Sequence, residues 1–401
     1  MNLAPANRLE HAHEYYFSRK QKELSRLKAS GVDVINLGIG NPDLPPPAHM
    51  QEQLAKLAML PTGHGYQGYT GIEALREAIA EWYLRHFGVT LCRDSEVFPL
   101  MGSKEGIMHI SMAYLNPGDR VLIPNPGYPT YIAATHIAGA TPVPYPLLEE
   151  NGFQPNIQDL ERMELARVKI MWVNYPNMPT GAEGSMSLFQ ALIDFGRKYN
   201  ILICHDNPYC FIQNANPLSI LQVEGAREHA VELNSLSKSY NMAGWRVGML
   251  VGNQEVIHNV LRFKSNMDSG MPYPVQMAAV AALGTDNGWF ATLNREYSER
   301  RAIAVRIGQS IGCTLAKGSN TGMFVWLRIP EHAQGAEALS DLILRVTGVF
   351  ITPGTVFGSN GQRYLRISLC SAREMLTKAL ERLNGTPLNL NQTHLSVKNH
   401  E

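Results

Sequence analysis

The sequence has no excess of charge of either sign, no long apolar run and few cysteines, and each shortage closes off a class of protein. Lysine plus arginine and aspartate plus glutamate stand at 35 each, so there is no bulk electrostatic field to attract nucleic acid or an acidic membrane. The stretch from Met1 to Lys20 carries charges and histidines where an export signal needs an apolar core, and no later stretch stays apolar long enough to span a bilayer. The cysteines, Cys92, Cys204, Cys210, Cys313 and Cys370, are odd in number, widely spaced and set mostly in apolar surroundings, with no C-x-x-C pair. They read as reduced core thiols of a cytoplasmic protein, and no metal site is expected.

At 401 residues the chain exceeds the usual size of one domain and has material for a substantial core. Short apolar runs at Arg120 to Pro124, Lys169 to Val173, Ile201 to Asp206, Ala230 to Leu236 and Val247 to Val251 alternate with amphipathic segments. In one of these, Ile72, Leu75, Ile79 and Trp82 or Tyr83 recur at helical spacing. Buried strands alternating with helices imply an α/β fold with a largely parallel, helix-covered sheet. Beyond Lys264 a long helical stretch leads to strand-like runs beginning at Phe324, Val349 and Tyr364. The expected organisation is an N-terminal segment, 1–45, packed with a small domain; a large domain, 46–280; the small α+β domain, 281–385; and a polar tail, 386–401.

The densest chemical signal is Ser235-Leu-Ser-Lys-Ser-Tyr-Asn-Met-Ala-Gly-Trp-Arg-Val-Gly, which sets one lysine between hydroxyls at a strand end and an arginine eight residues later. An isolated lysine is usually a solvated surface residue. Here the segment resembles the lysine signature of the class I/II aminotransferases, fold type I among the pyridoxal-phosphate enzymes. That resemblance implies a large domain with a mainly parallel seven-stranded sheet, and a Schiff base between pyridoxal 5'-phosphate and Lys238. A lysine amine suits the role because it adds to an aldehyde and, once displaced by substrate, returns as a base.

The other motifs fall in the order the resemblance requires. Asp206 and Tyr209, in His205-Asp-Asn-Pro-Tyr, match an Asp-x-x-Tyr in which the acid pairs with the pyridinium nitrogen and the phenol bonds the ring oxygen. An Asp after a strand is otherwise most often a cap, and a lone Tyr is most often packing. Gly102, Ser103 and Lys104, in Met101-Gly-Ser-Lys-Glu-Gly-Ile, match a phosphate turn at a helix start, to which Ser235, Ser237 and Arg246 add donors. Alone, Ser103 reads as a plain N-cap. Tyr128, in Asn125-Pro-Gly-Tyr, matches the residue that stacks on the cofactor ring, and Tyr66 matches one that reaches the phosphate of the partner subunit. A homodimer with shared active sites is therefore implied.

For the substrate, Gly40 in Leu37-Gly-Ile-Gly-Asn-Pro-Asp matches a carboxylate loop, although the same letters spell an ordinary turn. They lack the Gly-x-Gly-x-x-Gly of a dinucleotide site. Arg366 lies inside the apolar run Tyr364-Leu-Arg-Ile-Ser-Leu, where an unpaired guanidinium is costly. The resemblance gives it the α-carboxylate of the amino acid, and a structural salt bridge is the competing reading. One position departs from the pattern. Asn-Pro-Thr-Gly appears as Met178-Pro-Thr-Gly, so the asparagine that bonds the ring oxygen is lost, and Asn177 or Asn174 compensates or Tyr209 acts alone.

The implied activity is transfer of an amino group between an L-amino acid and a 2-oxo acid. A β-lyase acting on C–S bonds and a catalytically dead ligand-binding regulator are the alternatives on the same scaffold.

Overall fold

The structure is a computed structural model and describes residues 3–10 and 14–386. The polar tail lies outside the described residues from position 387 onward.

Seven strands form the main sheet: β2 (Val97–Leu100), β3 (Arg120–Asn125), β4 (Thr141–Pro146), β5 (Val168–Val173), β6 (Leu202–Asp206), β7 (Ala230–Ser235) and β8 (Gly248–Gly252), following the short β1 (Ile35–Asn36). Their order is β2-β8-β7-β6-β5-β3-β4. Every pairing is parallel except those of β8, which runs antiparallel to both β2 and β7. The central strands are buried almost throughout, which explains their continuous apolar runs, since helices cover both faces of such a sheet. The helix Met186–Tyr199 shows how sequence fixes the covering layer. Ser185 caps it by accepting from the Leu188 N–H, Leu188, Phe189, Leu192, Ile193 and Gly196 are among its buried residues, and Asn200 ends it at φ 54°.

Both edges of the sheet carry proline: Pro99 in β2, and Pro142, Pro144 and Pro146 in β4. A proline lacks the N–H that an inner strand must donate, so the edges are where it is tolerated. Neither segment stands out as a strand in the sequence for the same reason.

A second sheet, antiparallel and ordered β12-β13-β10-β9, is built from β9 (Thr314–Leu315), β10 (Phe324–Arg328), β12 (Thr352–Pro353) and β13 (Tyr364–Ser368). The helices Asn287–Ser310, Ala336–Thr347 and Arg373–Asn384 accompany it. The N-terminal strand β1 pairs in parallel with β11 (Val349–Phe350), and this carries Gly38 and Gly40 toward β13. No helix among the described residues is long and apolar enough to cross a membrane.

Candidate active site

Strand direction gathers the chemistry. Because β2, β3, β5, β6 and β7 run the same way, their C-terminal ends share one edge of the sheet, and the reversed β8 places its first residue on that edge too. Ser103 and Lys104 follow β2, Tyr128 and Tyr131 follow β3, Asn174 follows β5, Asp206 ends β6, Ser235 ends β7, and Arg246 precedes β8. All of them line one cavity of about 330 Å³, with Tyr209, Ser237 and Lys238 from this edge and Gly40 and Arg366 from the second sheet side.

At one end of the cavity, the helix Ser103–Tyr114 begins without a side-chain cap after Gly102, whose φ is 87°. A Cβ at Gly102 would overlap the Arg246 guanidinium, so glycine is needed both for the turn and for the close approach. Gly102 shapes this end without lining the cavity. Arg246 donates to the carbonyls of Ala243 and Met101 at 2.9 and 3.2 Å, and the Ser235 hydroxyl donates to that of Ser237 at 2.8 Å. Behind the turn, Glu105 accepts from the Met101 N–H at 2.5 Å and is held by the buried Lys264 ammonium at 2.8 Å. Uncapped helix N–H groups, hydroxyls and a guanidinium together make a site for a dianion such as phosphate.

In the middle of the cavity, Asp206 accepts from the Tyr131 hydroxyl at 2.8 Å through Oδ2, while Oδ1 is buried without a partner. Burial pushes its carboxyl up to about 6, against the pull of the Tyr131 hydrogen bond and the nearby His205. Tyr131 is itself fixed by stacking on Trp172, with ring centroids 5.1 Å apart. A carboxylate with one oxygen spent and one open fits the N–H of a pyridinium. Lys238 donates to the Gly40 carbonyl at 2.6 Å, and burial lowers its pKa, with Arg366 and Arg246 pushing the same way. Burial also holds the Tyr209 phenol well above its ordinary range, so it remains a donor.

At the other end, Arg366 sits at the centre of β13, opposite Trp326 and Thr352. Its guanidinium is 4.0, 4.5 and 5.3 Å from the ring centroids of Phe324, Phe357 and Phe17. One Nη donates to the Gly38 carbonyl at 2.6 Å, the other meets only the Met178 sulfur at 3.4 Å, and Nε has no partner. Among the described residues no carboxylate pairs with it. Burial lowers its pKa to about 10, still above neutral pH, so it is a buried cation facing the cavity with donors to spare. Gly40 passes beside this cage because a Cβ there would lie 2.5 Å from the Phe324 ring.

Two expected residues stand elsewhere. Asn177 does not line the cavity: its Oδ1 accepts from the Thr180 N–H and hydroxyl at 3.2 and 2.7 Å, which closes its own turn. Asn174 is the asparagine in the wall, yet its amide is also engaged, donating to the Asp206 carbonyl at 2.5 Å and accepting from the Met178 N–H at 2.7 Å. Tyr66 is 95% exposed and does not line the cavity of its own chain. Tyr131, Tyr15, Phe17, Ile39, Phe324 and Phe357 also line the cavity. Tyr131, three residues after Tyr128 on the same helical start, carried a signal in its spacing, whereas the aromatic cage is assembled from distant segments.

Comparison with known proteins agrees with this geometry. Residues 32–383 match the family aminotransferase class I and II. An LL-diaminopimelate aminotransferase of Dehalococcoides mccartyi is 41% identical over 95% of this chain and 98% of its own length. One of Desulforudis audaxviator is 42% identical over 96% and 98%. Among solved structures, apo-BacF of Bacillus subtilis superposes with a TM-score of 0.91 at 36% identity, covering 96% of this chain and 98% of BacF. Thermus thermophilus aspartate aminotransferase with maleate gives 0.89 at 26% identity, covering 96% and 100%. By sequence and by fold, this chain belongs to the class I and II aminotransferases, enzymes of fold type I that move an amino group between an amino acid and a 2-oxo acid.

Proposed function

We propose that the cavity holds pyridoxal 5'-phosphate on Lys238 and that Arg366 takes the α-carboxylate of the amino acid that reacts there. The observation that carries this reading is the buried guanidinium of Arg366, open to the cavity and without an acidic partner among the described residues, in the same space as the buried amine of Lys238. When bound, the cofactor supplies an aldehyde for an amine to join and a ring that takes up electrons from the substrate's α-carbon.

The chain's own residues do the rest. Ser103, Lys104, Ser235, Ser237 and Arg246, with the turn at Gly102, hold the phosphate. Asp206 Oδ1 would accept the pyridinium N–H, Tyr128 would lie against the ring, and Tyr209 would donate to its phenolic oxygen without help from an asparagine, because Met178 takes the place of that asparagine in the sequence and Asn174 and Asn177 are engaged elsewhere. Lys238 Nζ would carry the α-proton; burial favours the neutral amine that this requires. Gly40 leaves room for the substrate beside Arg366. In a homodimer the exposed Tyr66 reaches the phosphate of the other subunit, and the enzyme works in the cytoplasm. The relatives' name makes LL-diaminopimelate one candidate donor.

Purified protein should be yellow, and borohydride reduction followed by peptide mapping should place the cofactor on Lys238. Lys238→Ala should abolish the covalent link, while Arg366→Ala should keep the colour and weaken amino-acid binding. A colourless wild type that ignores added cofactor rejects the reading.

A further inference from the structure

Behind the cavity, inside the chain, lies a buried ion pair that the chemistry above does not use. Successive residues of a strand point to opposite faces of its sheet, so Asp206 lines the cavity while His205 turns away from it. There His205 packs on Phe189 of the helix Met186–Tyr199, with ring centroids 5.0 Å apart. Glu232 stands opposite His205 in the pairing of β7 with β6, and both side chains are fully buried.

His205 Nδ1 lies 2.9 Å from Glu232 Oε2, and its Nε2 lies 3.0 Å from the Tyr175 carbonyl. Glu232 also accepts from the Tyr83 hydroxyl at 2.9 Å, the Asn207 amide at 3.3 Å, the Ser219 hydroxyl at 2.8 Å and the Ile220 N–H at 3.0 Å. A carboxyl met by so many other donors is held as the anion. A carbonyl and a carboxylate can only accept, so His205 donates from both ring nitrogens, as an imidazolium does.

Two effects converge on Asp206. Glu232 grips the residues on either side of it, His205 and Asn207, so the strand end that carries the acid is fixed from behind. The cation of the pair also belongs to Asp206's own chain neighbour, whereas the anion sits on the next strand. Burial pushes the Asp206 carboxyl up; the Tyr131 hydrogen bond pulls it down, His205 adds to that pull, and Glu232 opposes it by less. Tyr83 and Cys210 beside Glu232, and Tyr128, Tyr131 and Tyr209 beside Asp206, are kept neutral by burial, so none of them adds charge here.

Taking Asp206 in the role given above, we propose that His205 and Glu232 are its positioning pair: Glu232 fixes the strand end, and the cation on His205 keeps the buried Asp206 carboxyl ionised, so that the proton it shares with the cofactor's ring nitrogen rests on the ring.

The test reads the carboxyl itself. In the full-length, cofactor-free protein, infrared difference spectra against Asp206→Asn follow the carbonyl stretch of the protonated acid, whose midpoint is expected at about 6. His205→Gln removes the cation and leaves Glu232 its other donors; the midpoint should rise by about one unit or more, a roughly tenfold gain in proton affinity. The double variant, His205→Gln with Glu232→Gln, replaces the ion pair by a neutral hydrogen-bonded one. It should recover the melting temperature that the single change loses, while its midpoint stays above that of wild type. In holoenzymes loaded with pyridoxal 5'-phosphate carrying a heavy-nitrogen label in the ring, the nitrogen resonance at neutral pH should move from its pyridinium position toward neutral pyridine, further in the single variant than in the double. A wild-type midpoint in either variant, or an unmoved ring resonance in both, overturns the proposal, because a purely structural pair alters stability alone. A pyridinium resonance retained in Asp206→Ala rejects the role of Asp206 itself, whatever the carboxyl titration shows.

Discussion

Two arginines in this molecule are equally buried and oppositely provided for. Arg300, on the long helix Asn287–Ser310, is 1% exposed and Arg366, on β13, is 3% exposed. Arg300 meets both oxygens of Asp43 at 2.6 and 3.0 Å, Glu296 at 2.8 Å and the Leu369 carbonyl at 2.9 Å. Arg366 has one carbonyl, a thioether and three aromatic faces. A guanidinium enclosed by acids holds a fold together; one kept short of an anion is prepared to bind.

Substitution should separate the pair. Arg300→Ala leaves Asp43 without its cation and Glu296 with Arg373 alone, at 3.3 Å, and should lower unfolding free energy by up to about 3 kcal/mol. Its surviving folded fraction should keep the wild-type KM for the amino donor, and a raised KM at unchanged stability would reverse the assignment. Arg366→Ala should do the converse, costing roughly 2–5 kcal/mol in kcat/KM for the donor with no loss of melting temperature, since no buried acid is orphaned. A large fall in melting temperature without a kinetic change would make it a structural residue after all.

Asp206 extends the comparison to the opposite sign, because it is a carboxylate left half open. Its pKa is raised from 3.8 to about 6 in the folded chain, so the folded state binds this proton more tightly than the unfolded state. The cost of ionising it is absent below pH 4, grows between pH 4 and 6, and is complete above pH 6, reaching about 3 kcal/mol at most. Cofactor-free Asp206→Asn should therefore gain stability relative to cofactor-free wild type as pH rises from 4 to 7. A pH-independent difference between their melting curves would show that the open oxygen is not penalised. The smallest effect is expected at an exposed pair: Arg162→Ala, which breaks a 3.1 Å contact with Asp159, should leave melting temperature and kinetics as they were.

The same contrast explains what could be read from sequence. Lys238, Asp206, Tyr209 and Arg246 lie within forty-one residues of one another, on strand ends whose apolar runs mark the sheet, so local pattern locates them. Arg366 was visible as a charge in an apolar strand, but the absence of a counter-ion is a property of five distant segments packed together. The role of Asn177 against Asn174 was equally hidden, since which amide turns inward depends on the backbone of the 174–180 loop. The edge strand Thr141–Pro146 escaped because its prolines argue against strand wherever both neighbours must be paired.

The reversal of β8 also orders events in time. It makes the stretch from Ser235 to Gly248 a local hairpin, so Lys238 and Arg246 are brought to one edge by a strand pairing only a dozen residues apart, and local contacts form quickly. On a growing chain all strands of the main sheet have left the ribosome once Gly252 emerges, whereas Arg366 follows more than a hundred residues later. This chain's own share of the seat for the cofactor can thus be built during synthesis, before the grip on the substrate exists.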